Sequence, residues 1–153
     1  MTGLISINKH HTDNIFSGAK SLEWRKKPLP EGLYYVYETK NKGGCGKVVG
    51  EMRITGTKAV DTSGHLEVCL VNAGCVHPSA LKKYANNGTL YANFIESVKK
   101  YEKPKPLGIF NSACDKKSMM DCTLCIKLRL KKCNPVVRPP QSWCYVEELE
   151  DGE

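Results

Sequence analysis

The densest group of side chains able to do chemistry lies in the run GAKSLEWR, between Gly18 and Arg25. Lysine and arginine bind phosphate oxygens, and Glu23 can orient Arg25 or accept a hydrogen bond from a base amino group. Beside Lys20, Glu23 can also act as a general base on a ribose 2′-hydroxyl, which is the chemistry of a metal-independent nuclease. The remaining interpretation is structural, with Glu23 and Arg25 forming an ion pair.

The spacing of these residues predicts that they share one surface. If residues 21–25 form a strand, Ser21, Glu23 and Arg25 lie on one face because strand side chains alternate. Lys20 follows a turn at Gly18 and can reach that face without strict alternation. We therefore predict a nucleic-acid-binding group of Lys20, Ser21, Glu23 and Arg25, in which Lys20 and Glu23 are catalytic only if the protein is an enzyme.

A second candidate group combines aromatic rings with polar side chains. Tyr37 and Trp143 are candidates for base stacking, which is worth ~1–3 kcal/mol per base. Gln141 and Ser142, next to Trp143, can read a base edge. Most other large rings are expected in the core, because a small barrel needs bulky side chains to fill it.

The charge balance favours a polyanionic partner. The chain has 23 basic and 16 acidic residues, a net charge of +7. Five of the acids lie between Glu147 and Glu153, so the rest of the chain has 23 basic against 11 acidic residues, or +12. Such an excess attracts phosphate backbones at long range. The acidic end is either a solvated tail or a competitor for the basic surface.

Lys127, Arg129 and Lys131 alternate with apolar residues in a predicted strand over residues 123–131. Their shared face is either a track for phosphates or a solvated outer surface, and the pattern fits both. Lys127 and Arg129 are added to the predicted nucleic-acid-binding residues.

The eight cysteines do not predict a metal centre. The best candidate set is Cys114, Cys122, Cys125 and Cys133, in which only the middle two form a C-x-x-C pair. A strand rises ~3.3 Å per residue, which would place Cys125 and Cys133 roughly 26 Å apart. We expect reduced thiols, no structural zinc and no cofactor.

The elements that must position these residues are short. Apolar alternation and β-branched or aromatic content predict strands over residues 4–7, 21–25, 33–38, 47–55, 90–98, 123–131 and 142–148. A helix capped by Thr12 or Asp13 is predicted to end at Gly18, and a second is predicted within residues 76–86. Residues 103–106 (KPKP) are expected to be an extended connector. The absence of regular β-α-β alternation predicts an α+β fold with a curled or closed sheet.

This order of elements resembles the ASCH family. The resemblance rests on Ile5-Ser6-Ile7, on the G-x-K-x-x-E-x-R pattern from Gly18 to Arg25, on Val48-Val49-Gly50, and on the PPQSW run that ends at Trp143. It implies a PUA-like mixed β-barrel of about six strands with two or three short helices. It also implies a cleft in which relatives hold RNA or modified nucleosides.

The resemblance leaves two activities open. Some relatives are amidohydrolases acting on N4-acetylcytidine, and others are ribonucleases. In the amidohydrolase pattern a threonine nucleophile follows the lysine by three positions, whereas here Glu23 follows Lys20. The leading expectation is therefore RNA binding, with an RNA- or nucleoside-processing hydrolase using Lys20 and Glu23 as the alternative.

The length predicts one domain, residues 1–147, followed by an acidic tail, residues 148–153. The start lacks the basic leader and apolar run of a signal peptide, and no run of 18 apolar residues occurs. We expect a cytoplasmic protein whose partner is RNA or another single-stranded nucleic acid, and not a membrane.

Overall fold

Six strands form one mixed sheet in the computed structural model, which describes residues 2–112 and 135–150. The strands are β1 (Thr2–Ile7), β2 (Leu22–Arg25), β3 (Gly32–Glu38), β4 (Val48–Asp61), β5 (Thr89–Lys105) and β6 (Trp143–Tyr145). Their order in the sheet is β2-β5-β4-β3-β1-β6. Strands β1 and β3 are parallel, and the other neighbours are antiparallel.

Three α-helices accompany the sheet within the described residues: α1 (Lys9–Phe16), α2 (Val68–Gly74) and α3 (Pro78–Ala85). Short 3-10 turns occur at Asn41–Gly43 and Leu107–Ile109. Six strands with three short helices confirm the predicted α+β class. No helix in this part of the chain is long and apolar enough to cross a membrane.

The sheet buries side chains on both faces. Neighbouring residues of β1, Leu4 and Ile5, belong to different apolar clusters, because strand side chains alternate. The first cluster packs beneath α1 and includes Ile15 and Tyr34. The second contains Phe110. A third cluster packs α2 and α3 against β2 and β5.

Barrel closure was predicted, and this part of the prediction is wrong for the described strands. Strands β2 and β6 are the two edges, with no backbone ladder joining them. The sheet nevertheless curls strongly, since the Arg25 side chain on β2 donates to the Ser6 carbonyl on β1 at 2.9 Å. A side chain spans the gap that backbone pairing would close, and the gap is left as a cleft.

Several boundaries differ from the predicted ones. Helix α1 starts at Lys9 after the N-cap residue Asn8, so Thr12 lies inside the helix and not at its cap. Strand β5 continues through the predicted connector. The pairing of β2 with β5 ends at Phe94, so at Pro104 strand β5 has a neighbouring strand, β4, on one side only, a position at which proline is tolerated.

Other predictions lie outside the described residues. These are the strand over 123–131 with Lys127 and Arg129, and the cysteines Cys114, Cys122, Cys125 and Cys133. No group of three or more His, Cys, Asp or Glu side chains in residues 2–112 and 135–150 could hold a metal ion.

The first residues of the predicted acidic tail contact the sheet. The backbone N–H of Leu149 donates to the Tyr35 hydroxyl at 2.9 Å, and the Leu149 side chain packs against the second cluster.

Candidate nucleic-acid-binding cleft

A buried chain of charges crosses the gap between β2 and β1. The Lys20 ammonium lies 3.4 Å from Oε2 of Glu23, and Nε of Arg25 lies 3.0 Å from Oε1 of the same carboxylate. Lys20 and Glu23 are only 2% and 6% exposed. Two cations thus share one carboxylate, and the group has a net charge of +1.

The end of α1 places Lys20 at this point. Gly18 adopts a positive φ of 83°, which ends the helix, and the Lys20 N–H donates back to the Asn14 carbonyl at 2.9 Å. The Lys20 ammonium then donates to the Gly74 carbonyl at the end of α2, at 2.6 Å. A cation is favourable at a helix C-terminus, where the carbonyl groups have no partners within the helix.

Gly74 permits this contact because it has no side chain. A Cβ at this position would collide with the indole nitrogen of Trp24. Glycine therefore lets α2 approach Trp24 closely enough for its last carbonyl to accept from Lys20. The N–H of Ser21 also donates to the Ala73 carbonyl at 2.9 Å, which joins the start of β2 to the same helix.

Asn93 on β5 fixes the backbone of β2 at Glu23. Its side chain is fully buried and donates to the carbonyl oxygens of Glu23 and Tyr91 at 3.0 and 3.1 Å. Its Oδ1 accepts from the Leu29 N–H and the Thr57 hydroxyl, both at 2.8 Å. All the hydrogen-bonding capacity of the amide is used, as expected for a buried polar group with a positioning role.

The charged group opens into a cleft of about 510 Å³. The side chains that line it come from β1, α1, β2 and α3, from the segments next to these elements, and from the segments after β3 and before β6. They are Ser6, Ile7, Asn8, His11, Lys20, Glu23, Trp24, Arg25, Thr39, Asn41, Val76, Ala80, Leu81, Tyr84 and Gln141. The cleft is large enough for one nucleotide-sized ligand.

His11 brings an imidazole to the cleft. Burial lowers the pKa of His11 below its ordinary value, and the positive charge of Lys20 adds to the effect, while Glu23 opposes it. Its Nδ1 is buried and has no hydrogen-bond partner among the described residues. At neutral pH the ring is therefore uncharged and able to accept a proton or a hydrogen bond.

Glu38 ties together two of the segments that line the cleft. Its carboxylate accepts from the Thr12 hydroxyl of α1 at 2.7 Å and from the Cys45 N–H at 2.9 Å. Burial alone would raise the pKa of Glu38, but these hydrogen bonds outweigh it and the pKa lies below its ordinary value. The ionised side chain holds α1 beside the loop that contributes Thr39 and Asn41.

A second cavity of about 540 Å³ adjoins the first. Its lining residues are Arg25, Lys26, Lys27, Tyr84, Gln141, Ser142 and Trp143. Arg25, Tyr84 and Gln141 line both cavities, so the two form one groove. Among the described residues that line the groove, four carry a positive charge and Glu23 alone a negative one.

The groove contains six of the ten predicted site residues: Lys20, Glu23, Arg25, Gln141, Ser142 and Trp143. Ser21 is exposed but lines neither cavity. Tyr37 packs in the second apolar cluster and does not reach the groove. Lys127 and Arg129 lie outside the described residues.

Sequence reasoning missed His11 and Tyr84. Neither residue is among the predicted site residues. Both lie on helices, and the way each helix packs decides which of its residues face the cleft. The sequence alone therefore does not single out either residue. The one usable signal was the spacing on α3, where Tyr84 follows the buried Leu81 by three positions and therefore lies next to it on the same side of the helix.

Comparison with known proteins finds structural relatives but no sequence relatives. No family model matches the chain, and no curated protein sequence matches it. The crystal structure of ZmASCH, the ASCH protein of Zymomonas mobilis, matches with a TM-score of 0.63 at 17% identity, covering 96% of this chain and 88% of that one. Two mutants of the same protein match with TM-scores of 0.63 and 0.62 at 16% identity, again over 96% of this chain and over 91% and 89% of theirs.

At this identity the likeness concerns the fold alone. The chain has an ASCH-like α+β fold, and the resemblance noted in the sequence is confirmed at that level.

Proposed function

We propose that this chain, with its ASCH-like fold, binds RNA in the groove between β2 and β1. The observation that carries the proposal is the convergence of four cationic side chains with aromatic rings on one concave surface. Cations bind the phosphates, and rings stack on bases without regard to sequence. The ASCH-like fold favours RNA as the ligand over DNA.

The geometry assigns different tasks to the cations. Glu23 engages Nε of Arg25, so the guanidinium is held with its remaining donors directed away from that contact. Lys20 is buried and contributes positive potential at the bottom of the cleft. Lys26 and Lys27 are exposed on the rim and can follow a backbone that passes over it.

Binding is tested by titrating the protein into labelled single-stranded RNA, matched DNA and duplex RNA at several salt concentrations. We expect the tightest binding to single-stranded RNA, with an affinity that falls steeply as salt rises, because each phosphate contact releases counterions. If none of these three nucleic acids binds in a salt-dependent way, the proposal is wrong.

A pair of variants locates the binding surface. Lys27→Gln and Lys99→Gln each remove one positive charge, but only Lys27 lines the groove, while Lys99 is an exposed cation on β5. We expect Lys27→Gln to reduce the slope of log affinity against log salt by ~0.7 for a lost phosphate contact, and Lys99→Gln to leave it unchanged. If Lys99→Gln reduced the slope and Lys27→Gln did not, the RNA would lie against the part of β5 that carries Lys99 and not in the groove.

A hydrolase acting on RNA or a modified nucleoside is the second candidate. The observation that favours it is the neutral imidazole of His11 in the same cleft as Lys20 and Glu23. Both oxygens of Glu23 are already paired with cations, so proton transfer to Glu23 would require one of those contacts to open. His11 is free of that restriction.

The same titrations decide between binding and hydrolysis when the recovered strands are run on a denaturing gel. Intact strands support a binding protein, and cleaved strands support the enzyme. In the second case Glu23→Gln should abolish cleavage in protein whose folded fraction has been verified by its thermal transition. Full cleavage by that folded variant would remove Glu23 from the mechanism.

A further inference from the structure

The second cavity combines two aromatic rings with three cations. Tyr84 on α3 is 45% exposed, and the Lys26 ammonium lies 4.9 Å from the centre of its ring. A lysine over an aromatic face makes a cation–π contact that helps hold both side chains in place. The ring is thus held at the rim that separates the two cavities.

Trp143 on β6 is the other ring, and its orientation is fixed by its neighbours. It packs edge-on against Tyr34, at 5.8 Å and 75°, and against Tyr145, at 4.8 Å and 80°. Tyr34 is itself fully buried, with its hydroxyl donating to the Pro30 carbonyl at 2.7 Å. A partly exposed indole supported in this way loses little conformational freedom when a ligand stacks on it.

The charge of the second cavity selects an anion. Arg25, Lys26 and Lys27 line it, and no acidic side chain among the described residues does so. A ligand suited to this surface has a negative charge and a flat face, which are the two properties of a nucleotide.

Arg25 lies where the two cavities meet and retains donors for a ligand. A guanidinium has five N–H donors. One is used by Glu23, one by the Ser6 carbonyl at 2.9 Å and one by the Ser142 hydroxyl at 3.4 Å. The other two are available to a phosphate that connects one cavity to the next.

From these features we infer that the second cavity is a subsite for the nucleotide adjacent to the one in the first cavity, on the same strand. The ligand is then an oligonucleotide of at least two nucleotides and not a free nucleoside. The second base stacks on Tyr84 in the cavity that Trp143 also lines, Arg25 contacts the connecting phosphate, and Lys26 and Lys27 contact the next phosphate. This inference rests on the proposed function and adds the minimum length of the ligand.

Calorimetric titration of the full chain tests the subsite with three ligands: the methyl ester of adenosine 5′-monophosphate, the dinucleotide ApA, which carries the same single negative charge, and an eight-nucleotide oligo(A). We expect ApA to bind about 5- to 150-fold more tightly than the mononucleotide, which is the range for one additional stacked base. The eight-nucleotide strand should bind at least as tightly as ApA.

Variants at Tyr84 assign the gain to the subsite. Tyr84→Ala should remove most of the difference between ApA and the mononucleotide, whereas Tyr84→Phe, which keeps the ring, should retain it. Because Tyr84 lines both cavities, the quantity to compare is the ratio of the two affinities within each variant, and circular dichroism should show that both variants are folded. Equal fold-losses for mononucleotide and dinucleotide would show that Tyr84 makes no contact specific to the second nucleotide, and would overturn the inference.

The remaining outcomes separate the inference from the function on which it rests. Equal affinity for mononucleotide and dinucleotide in the unmodified protein would overturn the subsite while leaving a nucleotide-binding cleft. The absence of binding by all three ligands would overturn both. Equally tight binding of a polyglutamate peptide would assign the surface to an acidic protein partner, and would also overturn the subsite.

Discussion

The ammonium of Lys20 lies 3.4 Å from the carboxylate of Glu23, and the two side chains are 1% and 7% exposed. Desolvation of such a pair is costly, and its mutual attraction compensates only while both partners remain. Glu23 has a second cation, Arg25, at 3.0 Å. The pair is therefore unequal, because Glu23 neutralises two charges and Lys20 only one.

From this inequality we predict that Glu23→Gln destabilises the fold more than Lys20→Met does. The glutamine leaves two cations without a carboxylate, whereas loss of Lys20 leaves Glu23 still paired with Arg25. Removing one partner of a buried pair costs about 3–5 kcal/mol, and we expect Glu23→Gln at the upper end. Urea denaturation at pH 7 measures both values.

The exposed pair of Lys58 and Glu67 is a matched control. Their charged atoms are 2.7 Å apart, but the side chains are 50% and 56% exposed. Lys58→Gln should therefore cost less than about 1 kcal/mol. Similar small losses for all three variants would mean that the Lys20–Glu23 pair contributes no more than a surface pair.

Asn93→Leu should destabilise the fold by roughly 3 kcal/mol or more. The variant keeps the size of the side chain but leaves the Leu29 N–H and the Glu23 carbonyl without their buried partner. Thr57→Val is the control. It removes one hydroxyl, which contacts the Asn93 oxygen at 2.8 Å and the Leu29 carbonyl at 3.3 Å, and should cost about 1 kcal/mol. If the denaturation midpoints of the two variants coincide, Asn93 does not fix β2.

The sequence predicted much of the sheet because its strands are specified locally. In β3 the run Leu33–Glu38 is rich in aromatic and β-branched residues, and turn-forming residues from Asn41 to Gly44 separate it from β4. Helix α2 escaped prediction because its residues, which include Cys69, Asn72 and Gly74, are weak helix formers. That helix depends on tertiary packing, with Leu70 in the same cluster as Trp24.

The candidate site was predictable where its residues are close in sequence. The spacing of Lys20, Glu23 and Arg25 was sufficient to place them together, as the structure has them. The contact between Arg25 and Ser6 spans the open side of the sheet, and it depends on how far the sheet curls. No local pattern encodes that curl, so the sequence predicted neither the open side of the sheet nor the position of His11 in the cleft.

His11 should make the stability of the fold fall as the pH drops below the ordinary histidine pKa of 6.5. Burial lowers its pKa in the folded state below the ordinary value of 6.5. Between the two pKa values the unfolded chain binds the proton and the folded chain does not, so stability falls as pH falls. The contribution is fully present above pH 6.5 and is lost as the pH approaches the folded pKa.

Urea midpoints measured across this range provide the test. His11→Gln should flatten the decline below pH 6.5, and the control His65→Gln, at an exposed position, should leave it unchanged. Parallel curves for the unmodified protein and His11→Gln would show that His11 is not the group responsible.

Gly50 on β4 is a point of close contact between α1 and the sheet, and we predict that Gly50→Ala destabilises the fold by about 1–3 kcal/mol. An added Cβ would lie 2.6 Å from the Phe16 ring of α1 and would collide with the backbone carbonyl of Lys99. Neither neighbour can move without cost. The Lys99 carbonyl lies on β5 where that strand pairs with β4, and the Phe16 ring packs against the first cluster. Because α1 also carries His11, displacement of the helix should weaken RNA binding in the variant that remains folded.

Gly56→Ala on the same strand is the matched control, because its Cβ would meet only Phe94, at the ordinary contact distance of 3.8 Å. Thermal unfolding and RNA titration of the two variants should differ in both measurements, and equal behaviour would show that α1 has room to move over β4.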